Sequence, residues 1–240
     1  MNPLELTEKC RKLIEAWDGY PKNPNPENRL RNGIVIFKNT FVDRYLASAH
    51  PMTPLFLWGP IIGYGLYVGL IKENLNLLTV LGLFLAGIVM WTLAEYCFHR
   101  FIFHHVPNPK RWAEKVNFFL LHGYHHEFPN HGTRLVAPPL MGWLIGGIVS
   151  IILYLVLGYP FFLPFLAGFL LGYMAYDWIH FYTHHFRPKG GVGKFLREYH
   201  LVHHYKFHEM NFGISNPFWD LVFGTYHWEK EPSSKELRPS

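Results

Sequence analysis

Ten of the sixteen histidines in this 240-residue chain fall into four tight clusters. His122, His125 and His126 stand in LHGYHHE, and His200, His203 and His204 repeat their spacing in YHLVHHY. His99 and His104 bracket HRFIFH, and His180 and His184 bracket HFYTH. Imidazole is a ligand for iron, zinc, copper and nickel, and so many titratable rings in an apolar chain are costly without partners. Ten ligands exceed what one ion can use, whereas two ions with about five each, keeping open positions, account for all of them. Cys10 and Cys97 form no paired motif, which argues against an iron–sulfur centre or a disulfide framework. His50, His105, His131, His185, His208 and His227 read as ordinary packed or surface residues.

Spacing adds geometry. The i, i+3, i+4 pattern puts the three imidazoles of each triple on one helical face. Asp177, His180 and His184, at i, i+3 and i+7, also share a face. His99 and His104 are the exception. Five residues on an ideal helix leave them about 140° apart, so the helix must end or distort if both hold one ion. Ligating histidines usually donate their other N–H to a carboxylate or carbonyl. Glu95, Asp177 and Glu198 are the carboxylates closest in sequence, each with the plain alternative of a solvated charge or a helix-surface ion pair.

The elements that must position these rings are membrane helices. Half the residues are hydrophobic, and no Asp, Glu, Lys or Arg occurs between Arg44 and Lys72, Glu73 and Glu95, or Arg134 and Asp177. A bilayer crossing takes about 20 apolar residues, so the first two blocks hold one span each and the third holds two, turning at Gly158-Tyr159-Pro160. The expected fold is all-α, with four transmembrane helices near residues 54–71, 75–94, 138–157 and 161–178 and a histidine-rich helical cap holding a dimetal centre. A soluble protein with buried apolar helices is the competing reading. Charge placement argues against it, because four spans put every Lys and Arg except Lys72 on one face. That face is cytoplasmic by the positive-inside rule, and it carries both termini and all the clusters. The expected location is the endoplasmic reticulum in a eukaryote and the inner membrane in a bacterium. The net charge of +5 follows from this topology and attraction to anionic lipid, so no nucleic-acid partner is needed.

The N-terminal segment, residues 1–53, carries no cleavable signal pattern and begins with an imperfect apolar stripe from Leu4 to Trp17. The stripe suits the membrane surface or packing on the domain, the latter preferred. Tyr20 to Glu27 reads as a linker or turn. Trp112, Phe118, Phe119, Leu120 and Leu121 suit an interfacial helix leading to His122. A helix is expected after the Pro188–Gly193 breaker, and FGISNPFWDLVFGT is expected to fold back on the membrane surface. Residues 54–228 form the expected catalytic domain, with 229–240 as a flexible tail.

At the histidines the sequence resembles the fatty acid hydroxylase superfamily of integral membrane oxygenases, and within it the fatty acid 2-hydroxylases. EYCFHRFIFH, FLLHGYHH, RLVAPP, YDWIHFYTHH, YHLVHHY and FGISNPFWDLVFGT carry the resemblance, which covers roughly residues 95–225. It implies that all ten clustered histidines bind two metal ions, with iron as the working pair and zinc able to occupy the same ligands in isolated protein. It implies an O2-dependent hydroxylation at carbon 2 of a fatty acyl chain, free or in a sphingolipid. Tyr176 and Asp177 are the catalytic candidates within the matching segments. Many eukaryotic relatives carry a fused cytochrome b5 domain and no heme-binding domain fits the first fifty residues here, so the expected electron donor is a separate protein such as cytochrome b5 or a ferredoxin. A sterol or carotenoid-type hydroxylase or a desaturase would use the same metal chemistry. A membrane metal transporter or storage protein is the non-enzyme alternative, disfavoured because transporters place ionisable ligands near the bilayer midplane.

Overall fold

The computed structural model describes residues 2, 4–17, 19–20 and 33–228. Most of the expected linker after Tyr20 and the expected tail after Trp228 lie outside these residues. The described residues are helical, with one isolated bridge between Leu6 and Phe37 and no sheet. In chain order the helices are α1 (Glu8–Ala16), α2 (Thr53–Tyr67), α3 (Leu77–Cys97), α4 (Trp112–Phe118), α5 (Tyr124–Glu127), α6 (Pro139–Leu157), α7 (Phe162–His185), α8 (Gly191–Tyr205) and α9 (Phe218–Phe223). Wide π-helical turns continue α2 to Lys72, α3 to Phe103 and α4 to Gly123.

Four of these helices are long and apolar enough to cross a membrane: Thr53–Lys72, Leu77–Phe103, Pro139–Leu157 and Phe162–His185. The chain is an integral membrane protein. The second and fourth helices run well past the expected ends at 94 and 178, because α3 and α7 continue as far as the histidines they carry. Each starts and stops for a local reason. The Asn76 side chain accepts the Leu78 N–H at 2.8 Å and caps α3. Pro139 opens α6, where its missing N–H costs nothing, and Gly158 at φ +68° closes it at the expected turn.

Helix α7 is the centre of the bundle. Of its best membrane window 61% is buried, against 6% for α6, whose apolar surface faces outward almost all round. Burial of α7 rests on glycine. A Cβ on Gly168 would lie 1.9 Å from the Phe84 carbonyl oxygen, and one on Gly87 would lie 2.1 Å from that of Phe165. The backbones of α3 and α7 therefore touch, which is how small residues substitute for a hydrophobic driving force inside a bilayer. That contact fixes the ends of both helices relative to each other.

The N-terminal helix packs on the domain, as preferred from its stripe. Cys10, Ile14 and Trp17 are buried against Phe119, Tyr124 and Phe128, and the Lys115 ammonium donates to the Glu15 carbonyl at 3.0 Å. Phe119 thus belongs to this core and not to an interfacial surface, while Trp112 and Leu121 remain exposed. The segment expected to fold back on the membrane surface divides in two. Phe212 and Ile214 are buried, whereas Phe218, Leu221, Val222 and Phe223 on α9 are exposed apolar residues.

Candidate metal centre

The four histidine clusters converge. His99, His104, His122, His126 and His203 form one group, called A, and His125, His180, His184, His200 and His204 form a second, B. Within each group one nitrogen per ring lies within 4.8 Å of the others. The groups do not follow the motifs. His122 and His126 go to A while His125 goes to B, and His200 and His204 go to B while His203 goes to A. The three rings of each triple lie on neighbouring positions of one face, and that face serves both groups. On a helix, position i+3 lies about 60° to one side of position i, and position i+4 about 40° to the other. Two centres placed side by side can therefore each take part of one triple.

The remaining pair in each group comes from a membrane helix. In B, His180 and His184 are one regular turn apart on α7. In A, His99 and His104 are brought together by the π turn Phe98–Phe103, whose wide hydrogen bond runs from the His104 N–H to the His99 carbonyl at 3.1 Å. An i+5 bond stacks residue 104 over residue 99 where a regular helix would swing it away. The distortion required by the spacing is thus this turn, and the two ring centroids are 4.9 Å apart.

The nitrogen separations discriminate between a hydrogen-bonded cluster and a ligand shell. In B the Nε2 atoms run in a chain, His180 to His125 at 2.9 Å, His125 to His204 at 3.0 Å, His204 to His200 at 3.0 Å and His200 to His184 at 2.9 Å. In A, His122 Nε2 is 3.1 Å from that of His99 and 3.0 Å from that of His126, and His203 is 3.0 Å from His104. One Nε2 has a single proton or a single lone pair, so it cannot bond two such neighbours at once. Nitrogens about 2.1 Å from one cation and at right angles to each other are about 3.0 Å apart, whereas tetrahedral ligands would be nearer 3.4 Å. The residues fit two ions, and each group would offer one of them up to five imidazoles.

Burial keeps these rings in ligand form. His104, His122, His125, His126, His200, His203 and His204 are all held well below the ordinary imidazole value of 6.5, first by desolvation and then by neighbouring imidazoles, and at His203 the hydrogen bond donated to Met210 opposes the shift. The neutral ring exposes a lone pair, as metal binding requires.

Of the candidate carboxylate partners, Glu198 follows the plain alternative of a helix-surface ion pair. Glu198 pairs with Lys194 at 3.5 Å on the surface of α8. Glu95 is buried but reaches no histidine; its oxygens accept the Ile214 and Ser215 N–H groups at 2.5 and 2.7 Å and the Ser215 hydroxyl at 2.5 Å. Asp177 is buried, and its Oδ2 has no hydrogen-bond partner among the described residues. The histidine partners that sequence reasoning missed are two carbonyls. His99 Nδ1 donates to Phe212 O at 2.6 Å and His203 Nδ1 to Met210 O at 2.7 Å. Asp220, also missed, accepts the Phe212 and Gly213 N–H groups at 2.8 and 2.7 Å. A carboxylate in the otherwise charge-free FGISNPFWDLVFGT was the available signal, because a buried charge needs several donors.

Tyr20 was missed too. Its ring lies 4.2 Å from that of His104 and 4.8 Å from that of His126, and its hydroxyl donates to the Phe103 carbonyl. None of the six histidines read as ordinary joins either group. His105 pairs with Glu114 at 3.3 Å, and the His185 ring stacks on Phe181 at 4.0 Å.

Both groups open on one cavity of about 1200 Å³. His122 of A and His125 and His180 of B line it together with Glu95, Tyr176 and Asp177, and Trp58, Trp91, Phe169 and Leu170 contribute to its apolar lining. Leu140, Met141, Leu144 and Ile145 of α6 form a wall whose residues are also exposed to the outside. A sequence profile described as Fatty acid hydroxylase matches residues 84–225, the stretch that supplies all ten histidines.

The chain belongs to the fatty acid hydroxylase family. Among its relatives in that family, the Saccharomyces cerevisiae protein named ceramide very long chain fatty acid hydroxylase SCS7 is 38% identical over 215 residues, covering 88% of this chain and 54% of the yeast protein. The chain thus spans about half the length of that relative. An Arabidopsis thaliana dihydroceramide fatty acyl 2-hydroxylase, FAH2, is 39% identical over 183 residues, covering 75% of this chain and 74% of the plant protein. A solved structure of full-length Scs7p, in which only the hydroxylase domain is visible, superposes with a TM-score of 0.74 at 31% identity, covering 93% of this chain and 80% of that one. The fold of this family member is therefore that of a membrane hydroxylase domain.

Proposed function

We propose that this chain is an O2-dependent membrane lipid hydroxylase that places a hydroxyl on carbon 2 of a fatty acyl chain, free or within a ceramide or other sphingolipid. The observation that carries the reading is that both five-histidine groups contribute lining residues to one apolar cavity walled by membrane helices. The Arabidopsis thaliana relative is named for the same reaction, and the yeast relative for hydroxylation of a ceramide fatty acid.

In this reading His99, His104, His122, His126 and His203 hold one ion, and His125, His180, His184, His200 and His204 hold the other. Hydroxylation of an unactivated C–H bond consumes O2, two electrons and two protons and releases one oxygen atom as water. Iron supplies that redox chemistry when bound, which zinc with its single oxidation state does not, although the same ligands accept zinc. The electrons come from a separate carrier such as cytochrome b5 or a ferredoxin.

The chain's own residues select and orient the substrate. Trp58, Trp91, Phe169 and Leu170 hold the acyl chain by apolar contact and keep water from its length. The α6 wall lies between cavity and bilayer, so an acyl chain enters sideways without leaving an apolar medium. Asp177 and Tyr176 stand where the cavity meets group B, with the Tyr176 ring 5.8 Å from that of His180. The unpartnered Asp177 oxygen accepts a hydrogen bond from the polar end of the substrate, which brings the carbon beside that end to the histidines. The histidine cap faces the cytoplasm, at the endoplasmic reticulum in a eukaryote or the inner membrane in a bacterium. Residues 54–228 act as the hydroxylase domain and 1–53 as a cytoplasmic segment.

The test is mass spectrometry of lipids from cells expressing the chain under ¹⁸O2, beside a His203→Ala, His204→Ala control. The expected result is an acyl species carrying one ¹⁸O at carbon 2 only with the intact histidines. An unsaturated or ring-hydroxylated lipid would overturn the substrate, and metal uptake with no lipid product would favour transport.

A further inference from the structure

The backbone from Phe212 to Ser215 gives all four of its N–H groups to two buried carboxylates. Asp220 accepts Phe212 and Gly213, and Glu95 accepts Ile214 and Ser215. Asp220 is tied in turn by the Thr225 hydroxyl at 2.8 Å. Asn211, at φ +58°, turns the chain into this segment, and a Cβ on Gly213 would lie 2.1 Å from the Asn216 carbonyl oxygen, so the loop has little room to shift. With the N–H groups held on one side, the Met210 and Phe212 carbonyls meet His203 and His99 on the other. Both of those histidines belong to group A. The Nδ1 atoms of His104 and His126 in group A have no hydrogen-bond partner among the described residues, so two rings of A are anchored in this way, whereas in group B none of the five Nδ1 atoms has such a partner.

A carbonyl that accepts from Nδ1–H fixes the tautomer and makes Nε2 a stronger donor to a metal, and loss of such a partner typically costs 10- to 100-fold in metal affinity. From this we infer that the two groups are unequal: group A binds its ion more tightly and fills first, and Glu95 and Asp220 are positioning residues for group A alone, acting through the loop. The inference rests on the two-ion reading of the centre.

The experiment uses the purified, metal-stripped full chain in lipid nanodiscs, titrated with Zn²⁺ alone by calorimetry, with bound zinc counted by mass spectrometry. The wild type should take two equivalents in two steps, the first about 10-fold or more tighter than the second. His104→Ala should remove the tight step and His184→Ala the weak one. Asp220→Asn, which keeps one acceptor oxygen and the side-chain shape, should weaken the tight step about 10- to 100-fold and leave the weak step in place. Ser215→Ala takes only one donor from Glu95 and spares the fold, so it should move the same step in the same direction by less.

Fewer than two equivalents in the wild type would overturn the two-ion reading itself. Two equivalents with the tight step lost in His184→Ala, or with equal affinities, would overturn the inequality and leave the two-ion reading standing. Equal weakening of both steps in Asp220→Asn and Ser215→Ala would overturn the assignment of the two carboxylates to group A.

Discussion

Groups A and B have the same composition and opposite construction. Group B is assembled from two regular helices: His180 and His184 on α7 face His200 and His204 on α8, and His125 crosses over from the other triple. Group A takes His99 and His104 from the π turn after α3 and His122 from the π turn after α4, adds His126 from α5 and His203 from α8, and is braced at His99 and His203 by the loop at Met210–Ser215. A regular helix sets the direction of a side chain by itself, so group B needs no added brace. A π turn and a loop do not, and group A is the one with carbonyl-anchored histidines and a tyrosine, Tyr20, packed on its rings. Irregular backbone at a site is stable here where neighbouring structure over-determines it.

Loss of any one ligand should have the largest effect and should blur the difference between the groups. His104→Ala and His184→Ala are each expected to lower hydroxylation on the order of 100-fold or more, because in the proposed reaction the two ions act together. The double variant should fall no further, since groups that act as a unit are non-additive. Turnover measured by lipid mass spectrometry checks this, and additive losses would mean independent sites.

Acid should act on both groups alike. The seven histidines outside the spans have folded values well below 6.5, so the unfolded chain binds more protons between those values and 6.5. Their contribution to stability is fully present above about pH 6.5 and is lost as the pH falls below it, by up to about 1.4 kcal/mol per histidine per pH unit. Thermal unfolding of the metal-free chain at pH 7.5, 6 and 5 should show a falling Tm, and a Tm that rises toward pH 5 would contradict the neutral assignment.

Filling the cavity should separate substrate binding from the metals. Val149→Phe narrows the cavity along α6, so long acyl substrates should lose about 10-fold in kcat/KM while short ones and metal content hold steady. The smallest effect is expected at Tyr20→Phe, which removes one hydrogen bond to the Phe103 carbonyl beside group A. About 1 kcal/mol of stability should go, with zinc affinity at group B unchanged. A change confined to group B would break the assignment of Tyr20 to group A.

Much of this was legible in the sequence. The charge-free blocks gave four spans because a bilayer imposes both a length and an absence of charge, and the ten histidines stood out by spacing alone. The His99 and His104 interval even required a distortion, though not its kind. The division of each triple between two groups was not legible, because neighbours on one helix face can serve either of two adjacent centres and only tertiary packing chooses. The carbonyls of Met210 and Phe212 were invisible for a different reason: every residue has one, and which residue offers it depends on the loop's path. Asp220 could have been suspected, whereas Tyr20 carries no local signal, since its partners at the site, Phe103, His104 and His126, are more than eighty residues away.

The most direct test of the central claim is X-ray absorption at the iron edge of the iron-loaded full chain, taken with an iron count. The account predicts two irons per chain, each with about five imidazole nitrogens near 2.1 Å and no sulfur ligand. A single iron per chain, or a shell dominated by carboxylate oxygen or sulfur, would contradict it.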